Sequence, residues 1–184
     1  MSRFILGVTG ASGAIYASRT LWHSQKLGHS VSLIFTEMGK SVAEFEGQIE
    51  KLKSANCVLD VHNLFADCAS GSSDFSGMAV VPCSMGTLGK MANGIADNLL
   101  VRAADVCLKE RRPLVVVPRE MPFNLIHLQN MEKLSLAGAS IVAASPSFYR
   151  KPTTIEELVD SVVAKILSQL HLPNEIVSDW EKVR

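Results

Sequence analysis

Arg102-Ala-Ala-Asp-Val-Cys-Leu-Lys-Glu-Arg-Arg-Pro-Leu-Val-Val-Val-Pro-Arg-Glu-Met-Pro122 decides the fold. Its centre, Leu114 to Val117, is a short apolar run rich in β-branched residues and bounded by Pro113 and Pro118. Such a run reads as a strand buried on both faces, as in a parallel sheet covered by helices on each side. Arg119 and Glu120 follow at once. Ligands of open parallel α/β sheets bind outside the carboxyl ends of the strands, so this charged pair is expected at a ligand edge. Arg102, Lys109, Glu110, Arg111 and Arg112 lie on the element leading into the strand, and Arg111 and Arg112 read as solvated charges.

Working outward, Phe4 to Val8, Ser30 to Phe35, Met78 to Val81 and Ile141 to Ala144 read as further strands, with a short one near Val58. Helical patterns separate them: Ala14 to Lys26 closed by Gly28, Gly39 to Glu46, residues 85–93 and 97–109, Phe123 to Leu136 ended by Gly138, and Ile155 to Leu170. In the last of these Ile155, Leu158, Val159, Val162, Val163, Ile166, Leu167 and Leu170 are expected to share one face, and Thr153 with Glu156 has capping-box spacing. Lys165 falls on or near that buried face, where it must meet an anion or snorkel. Strand–helix alternation throughout predicts an α/β chain. The expected architecture is a Rossmann/flavodoxin-like three-layer fold with a mostly parallel sheet. One domain is expected over residues 1–184, with a tail from about residue 172 docking on a neighbouring subunit; its Trp180 is unusual for a polar tail.

Lys plus Arg total 18 and Asp plus Glu total 18, so the balance excludes a strongly basic surface for nucleic acid or an anionic membrane. A net charge of zero favours association, and an oligomer is expected. Cys57, Cys68, Cys83 and Cys107 form no C-x-x-C pair, which points to a reduced, cytoplasmic setting without a zinc site. The start lacks a signal-peptide h-region, and no apolar run reaches the ~18 residues of a membrane span.

Two strand–helix junctions carry site character. Gly7-Val-Thr-Gly10-Ala-Ser-Gly13-Ala14 has glycines that let backbone approach a phosphate, and it opens a helix whose N–H groups are expected to face an anion. It is neither G-x-G-x-x-G nor a Walker loop. Glu37 could stand for the ribose-binding acid of a dinucleotide site, but its polar turn argues against that. Pro82-Cys83-Ser84-Met85-Gly86-Thr87 repeats the arrangement after another strand. Cys83 reads as a small packed thiol rather than a nucleophile, and His127 as structural within its helix. Phe148-Tyr149-Arg150-Lys151-Pro152, after the last strand, could hold phosphate or present a π-face to a cation.

Gly-Ala-Ser-Gly-Ala at 10–14, Pro-Cys-Ser-Met-Gly-Thr-Leu at 82–88, Arg-Ala-Ala-Asp-Val at 102–106, Leu-Lys-Glu-Arg-Arg-Pro-Leu at 108–114, Pro-Arg-Glu-Met-Pro at 118–122 and Phe-Tyr at 148–149 together resemble the UbiX-type flavin prenyltransferases. The resemblance spans nearly the whole chain in order. It implies a flavodoxin-like homo-oligomer, commonly a dodecamer, that binds FMN. Members move a dimethylallyl group from dimethylallyl monophosphate onto N5 and C6 of reduced FMN, and the prenylated FMN serves UbiD-type decarboxylases, as in ubiquinone biosynthesis. Older descriptions name the family 3-octaprenyl-4-hydroxybenzoate carboxy-lyase.

By position, the resemblance assigns Gly10, Ala11, Ser12, Thr36, Ser84, Met85, Gly86, Thr87 and Arg102 to FMN. It assigns Ser12 and Glu46 to proton handling near flavin N5. Lys109, Arg119, Glu120, Tyr149 and Lys165 fall to the prenyl phosphate, with Glu120 also in catalysis. Lys165 stands where the family usually has Arg, which keeps the charge but loses the bidentate fork. Thr36 is commonly Ser there, and Trp180 resembles a tail aromatic that reaches an active site in the assembled particle. No metal is required where fixed cations meet the leaving phosphate. The rival readings are a flavin-dependent cysteine decarboxylase, whose substrate-clamp motif this chain lacks, and a non-catalytic FMN module.

Overall fold

The computed structural model describes residues 2–176. Six parallel strands form one sheet: β1 (Arg3–Val8), β2 (Ser30–Phe35), β3 (Cys57–Leu59), β4 (Met78–Cys83), β5 (Leu114–Pro118) and β6 (Ser140–Ile141). Their spatial order is β3-β2-β1-β4-β5-β6, the Rossmann order, which reverses direction between β1 and β4. The described residues form seven α-helices, α1 (Ala14–Lys26), α2 (Glu37–Phe45), α3 (Ile49–Leu52), α4 (Met85–Ala92), α5 (Leu99–Lys109), α6 (Leu125–Leu136) and α7 (Ile155–Gln169).

Strand alternation splits the core into two layers. Phe4, Leu6 and Val8 of β1 and Val115 and Val117 of β5 pack with Leu21 of α1 and Val163, Ile166 and Leu167 of α7. Ile5 of β1 and Leu114 and Val116 of β5 turn the other way, onto Leu88, Leu100, Val106 and Leu134 of α4, α5 and α6. All five residues of β5 are buried, as the apolar run between its prolines requires. No helix among the described residues is long and apolar enough to cross a membrane.

Several element ends differ from the sequence reading, and caps explain them. Helix α2 starts at Glu37 rather than Gly39 because the Thr36 hydroxyl accepts the Gly39 N–H. In α7 the cap is Thr154, not Thr153: its hydroxyl accepts the Glu157 N–H, while the Glu157 carboxylate takes the N–H and hydroxyl of Thr153. His127 sits in the first turn of α6 rather than mid-helix, and completes a reciprocal capping box with Asn124. The last strand is shorter than expected, although Val142 and Ala144 still donate backbone hydrogen bonds to Val116 and Pro118. Lys165 lies on the exposed side of α7, not at its buried face. Trp180 lies outside the described residues.

Candidate active site

The strand order reverses between β1 and β4, so the connections leaving these strands diverge and open a crevice at their carboxyl ends. Thr9 ties the two ends together. Its buried hydroxyl donates to the Pro82 carbonyl at 2.9 Å and accepts the Ser84 N–H at 2.7 Å. Gly39 brings α2 onto the same end of β1: a Cβ there would collide with the Val8 carbonyl and the Thr9 backbone.

The crevice has a volume of about 530 Å³. Its wall includes Gly10, Thr36, Ser84, Gly86, Thr87 and Asn98. Three of these are N-caps, Thr36 of α2, Ser84 of α4 and Asn98 of α5. Three helix N-termini thus converge on one cavity, each adding partial positive charge, and the cavity suits an anion carried by a polar ligand. Ser84 and Thr87 add hydroxyls, joined to each other at 3.1 Å.

Helix α1 behaves differently from the sequence expectation. Gly13, in the left-handed region at φ 105°, turns the chain into the helix. The Gly13 N–H lies 2.9 Å from Glu46 Oε1 and the Ala14 N–H 2.7 Å from Glu46 Oε2. A carboxylate of the protein itself therefore fills the place expected for a ligand anion, and this brings Glu46 beside Ser12. Ala11 is buried, and its N–H donates to the Thr9 carbonyl. Met85 is half-buried against the core layer of α4 and α5.

A second crevice, of about 370 Å³, lies at the carboxyl ends of β5 and β6. Arg119, Glu120, Met121 and Phe123 line it from one strand end, Ala143 to Ser145 from the other. The Arg119 Nε donates to the Ser12 carbonyl at 3.1 Å, so one side chain bridges the β5 end and the first glycine-rich turn. Glu120 accepts the Met121 N–H. Beyond β6, hydrogen bonds with Ser147 and Arg150 hold the Tyr149 phenol below its ordinary pKa. The positive charges of Arg150 and Lys165 act in the same direction, so Lys165 shares the electrostatic surroundings of Tyr149.

Lys109, which the resemblance placed with Arg119, Glu120 and Tyr149 at the prenyl phosphate, does not join them within one chain, and Arg102, placed at FMN, does not line the first crevice. Lys109 ends α5 and precedes β5, whereas Arg119 follows β5. At about 3.3 Å per residue that strand alone separates them by roughly 15 Å. The Lys109 ammonium rests on the Glu110 carboxylate beside Gly71. Arg102 donates to the Ala69 carbonyl at 3.0 Å and pairs with Asp105 at 2.7 Å, away from the crevice wall. Seven residues apart, Arg102 and Lys109 lie on one stripe of α5 with Asp105 between them.

Cys83 is fully buried and burial pushes its thiol pKa far up, which suits a packed side chain and not a nucleophile. Sequence reasoning passed over Thr9, Lys90, Asp97 and Asn98. Asn98 carried a readable signal, an Asn just before an apolar helical run. The partners of Thr9 lie 73 and 75 residues away, beyond any local pattern.

The Flavoprotein family matches residues 1–168. The flavin prenyltransferase UbiX of Halalkalibacterium halodurans is 43% identical, over 98% of this chain and 94% of that one. The crystal structure of AnUbiX (PadA1) in complex with FMN and dimethylallyl pyrophosphate superposes with a TM-score of 0.92 at 36% identity, covering 97% of each chain. A dodecameric FMN-dependent UbiX-like decarboxylase from Escherichia coli O157:H7 gives 0.88 at 39% identity, covering 94% of this chain and 96% of that one. The peptidyl-cysteine decarboxylase EpiD, at 17% identity and a TM-score of 0.62, shares the fold alone. The chain belongs to the Flavoprotein family and, within it, to the UbiX flavin prenyltransferases.

Proposed function

We propose that this enzyme transfers the dimethylallyl group of dimethylallyl monophosphate to N5 and C6 of reduced FMN, and that a UbiD-type decarboxylase takes up the prenylated product. One observation carries the reading. Two crevices open at the ligand edge of the sheet, and Arg119 of the second reaches the Ser12 carbonyl in the turn that begins with Gly10 of the first. The first, where three helix N-termini and the Ser84 and Thr87 hydroxyls converge, fits FMN. The second, with Arg119 and Glu120, fits a phosphate ester delivered beside the flavin ring. An electron carrier has no use for that second compartment.

Reduced FMN supplies two nucleophilic positions, N5 and C6. When the prenyl C–O bond breaks, its electron pair leaves with phosphate, and fixed cations lower the barrier by meeting that charge. Arg119 and Lys165, with the Tyr149 hydroxyl, fill this role. The first bond, at N5, releases the N5 proton, and the second, at C6, requires one proton delivered to the prenyl double bond and one removed from the ring. Glu120 at the second crevice and Glu46 beside Ser12 are the carboxylates placed to move them. The flavin face and Tyr149 shield a developing allylic cation from water.

The site is completed between subunits. Arg102 and Lys109 share one stripe of α5, and we assign them to the crevice of an adjoining copy, Arg102 toward FMN and Lys109 toward the leaving phosphate. Exposed apolar groups support assembly: Phe65 is 100% and Phe45 94% exposed. Surfaces of this kind call for a partner. A dodecamer, like that of the Escherichia coli relative, accounts for both features. At the start of the tail expected to dock on a neighbour, Leu172 packs instead in this chain's own core. The four cysteines are free thiols, which fits a cytoplasmic setting.

The test is anaerobic incubation of pure protein with reduced FMN and dimethylallyl monophosphate, followed by mass analysis of the extracted flavin. The expected result is a gain of one C5 unit on the flavin. Bound but unmodified flavin overturns the assignment. A parallel arm with dimethylallyl pyrophosphate reads the ester preference.

A further inference from the structure

The first crevice has a definite charge inventory. Its ionisable lining residues among those described are Glu37, His62, Lys90 and Asp97, paired as Glu37–His62 at 3.3 Å and Lys90–Asp97 at 2.6 Å. Lys90 is the one permanent cation in this set, and two carboxylates oppose it. A phosphate dianion entering this cavity gains from the helix N-termini but also meets two carboxylates, and Lys90 is the lining side chain that can offset them.

The fold gives Lys90 a route. Gly86, Thr87 and Lys90 lie on one face of α4, separated by three and four positions. Helical side chains lean toward the helix N-terminus, so the Lys90 stem points back over Gly86. A Cβ at Gly86 would meet nothing within 4 Å, which leaves that path open. At its end is the α4 N-terminus, already suited to an anion. The present partner holds Lys90 weakly: both groups of the Lys90–Asp97 pair are over 40% exposed, and exposed pairs contribute little.

We infer that Lys90 is the within-chain counter-charge for the FMN phosphate, exchanging Asp97 for the phosphate as the cofactor binds, and that this exchange makes the crevice select FMN over riboflavin. The inference rests on the crevice being the flavin site. FMN and riboflavin differ only by the phosphate, so the pair of ligands isolates the contact. Asp97 then acts as a competitor whose removal frees Lys90.

The experiment measures flavin affinity by fluorescence quenching, with FMN and riboflavin, for wild type, Lys90→Met, Asp97→Asn and Gly86→Trp. Lys90→Met should weaken FMN about tenfold, as expected for loss of a charge-assisted contact, and leave riboflavin within about twofold. Asp97→Asn should tighten FMN alone. Equal losses for both flavins in Lys90→Met, or no loss, overturns the inference, as does weaker FMN binding in Asp97→Asn. Gly86→Trp fills the cavity and should abolish both ligands. If it binds FMN normally, the crevice itself has been misassigned and the Lys90 role falls with it. If it binds neither flavin while Lys90→Met shows no FMN-specific loss, the crevice stands and only the role of Lys90 is lost.

Discussion

The Glu46 carboxylate accepts the N–H groups of Gly13 and Ala14, so the first turn of α1 is closed by an acid 33 residues along the chain. That contact does two jobs. It satisfies donors that a helix start leaves open, and it fixes the glycine-rich turn that presents Ser12. Gln48 buttresses it: its amide donates to the Glu46 carbonyl while the Ser18 hydroxyl donates to the Gln48 side chain.

Glu46→Ala should therefore cost about 2 kcal/mol, the range for a hydrogen-bonded charge at a helix start, and lower Tm by about 4–8 °C. Glu46→Gln keeps one acceptor and should recover much of that stability. If Glu46 also moves a proton, the Gln variant binds FMN yet fails to convert it. Thermal melts and anaerobic product mass separate the two roles, and full turnover by Glu46→Gln would restrict Glu46 to capping.

Thr9 gives the most direct link from a core side chain to the flavin crevice. Thr9→Val preserves shape but strands the Ser84 N–H, a loss of about 1–3 kcal/mol when buried, while the Pro82 carbonyl keeps the Thr9 N–H at 3.3 Å. FMN affinity should fall along with stability, because Ser84 caps α4 at the cavity wall. Thr9→Ser restores the hydroxyl and should restore both. Calorimetric melts and FMN titration check this; a Ser variant as impaired as Val would show that the methyl packing, not the hydroxyl, matters.

The fold was legible because each long strand advertised itself locally. The Leu114–Pro118 strand is buried on both faces and bounded by prolines, and the α7 stripe is a strong 3.6-residue pattern. The site was legible only in part. Gly10, Thr36, Ser84 and Thr87 follow strand ends, where topology places ligands, and they do meet in one cavity. The resemblance placed Lys109 with Arg119 at the prenyl phosphate and Arg102 at FMN, yet within one chain a strand divides Lys109 from Arg119 and Arg102 turns to Ala69 and Asp105. The anion seat at α1 was misjudged because nothing local shows that Glu46 folds back to occupy it.

If α5 serves a neighbouring copy, two inactive variants should complement each other. Lys109→Ala and Glu120→Gln each lack one half of the site, and in a random equimolar mixed oligomer about a quarter of sites recover both halves. Unfolding and reassembling the two together, then measuring prenylated flavin, should give activity well above either alone. Glu120→Gln should meanwhile bind FMN normally. No recovery on mixing would place both residues in the same chain's site or remove one of them from it.

The clasp between α1 and α7 predicts a pH dependence. The Asp160 carboxylate accepts from Arg19 Nε at 2.8 Å, Arg19 Nη2 at 2.5 Å and His23 Nε2 at 3.0 Å. Burial pushes the Asp160 pKa up, but hydrogen bonds from His23 and Arg19, with their charges, outweigh it and hold it below the ordinary aspartate value. A depressed folded-state pKa means the folded chain binds the proton less readily than the unfolded one. The clasp is therefore at full strength above the unfolded value of about 3.9 and weakens as pH falls through the lower folded value. Asp160→Asn should cost about 2 kcal/mol at pH 7, the range for hydrogen bonds to a charged group, because it loses the negative charge that Arg19 meets. Urea unfolding of both proteins should show separated midpoints at pH 7 that approach each other near pH 3. Midpoints equally separated at both pH values would mean that Asp160 stabilises the helix pair through packing rather than charge.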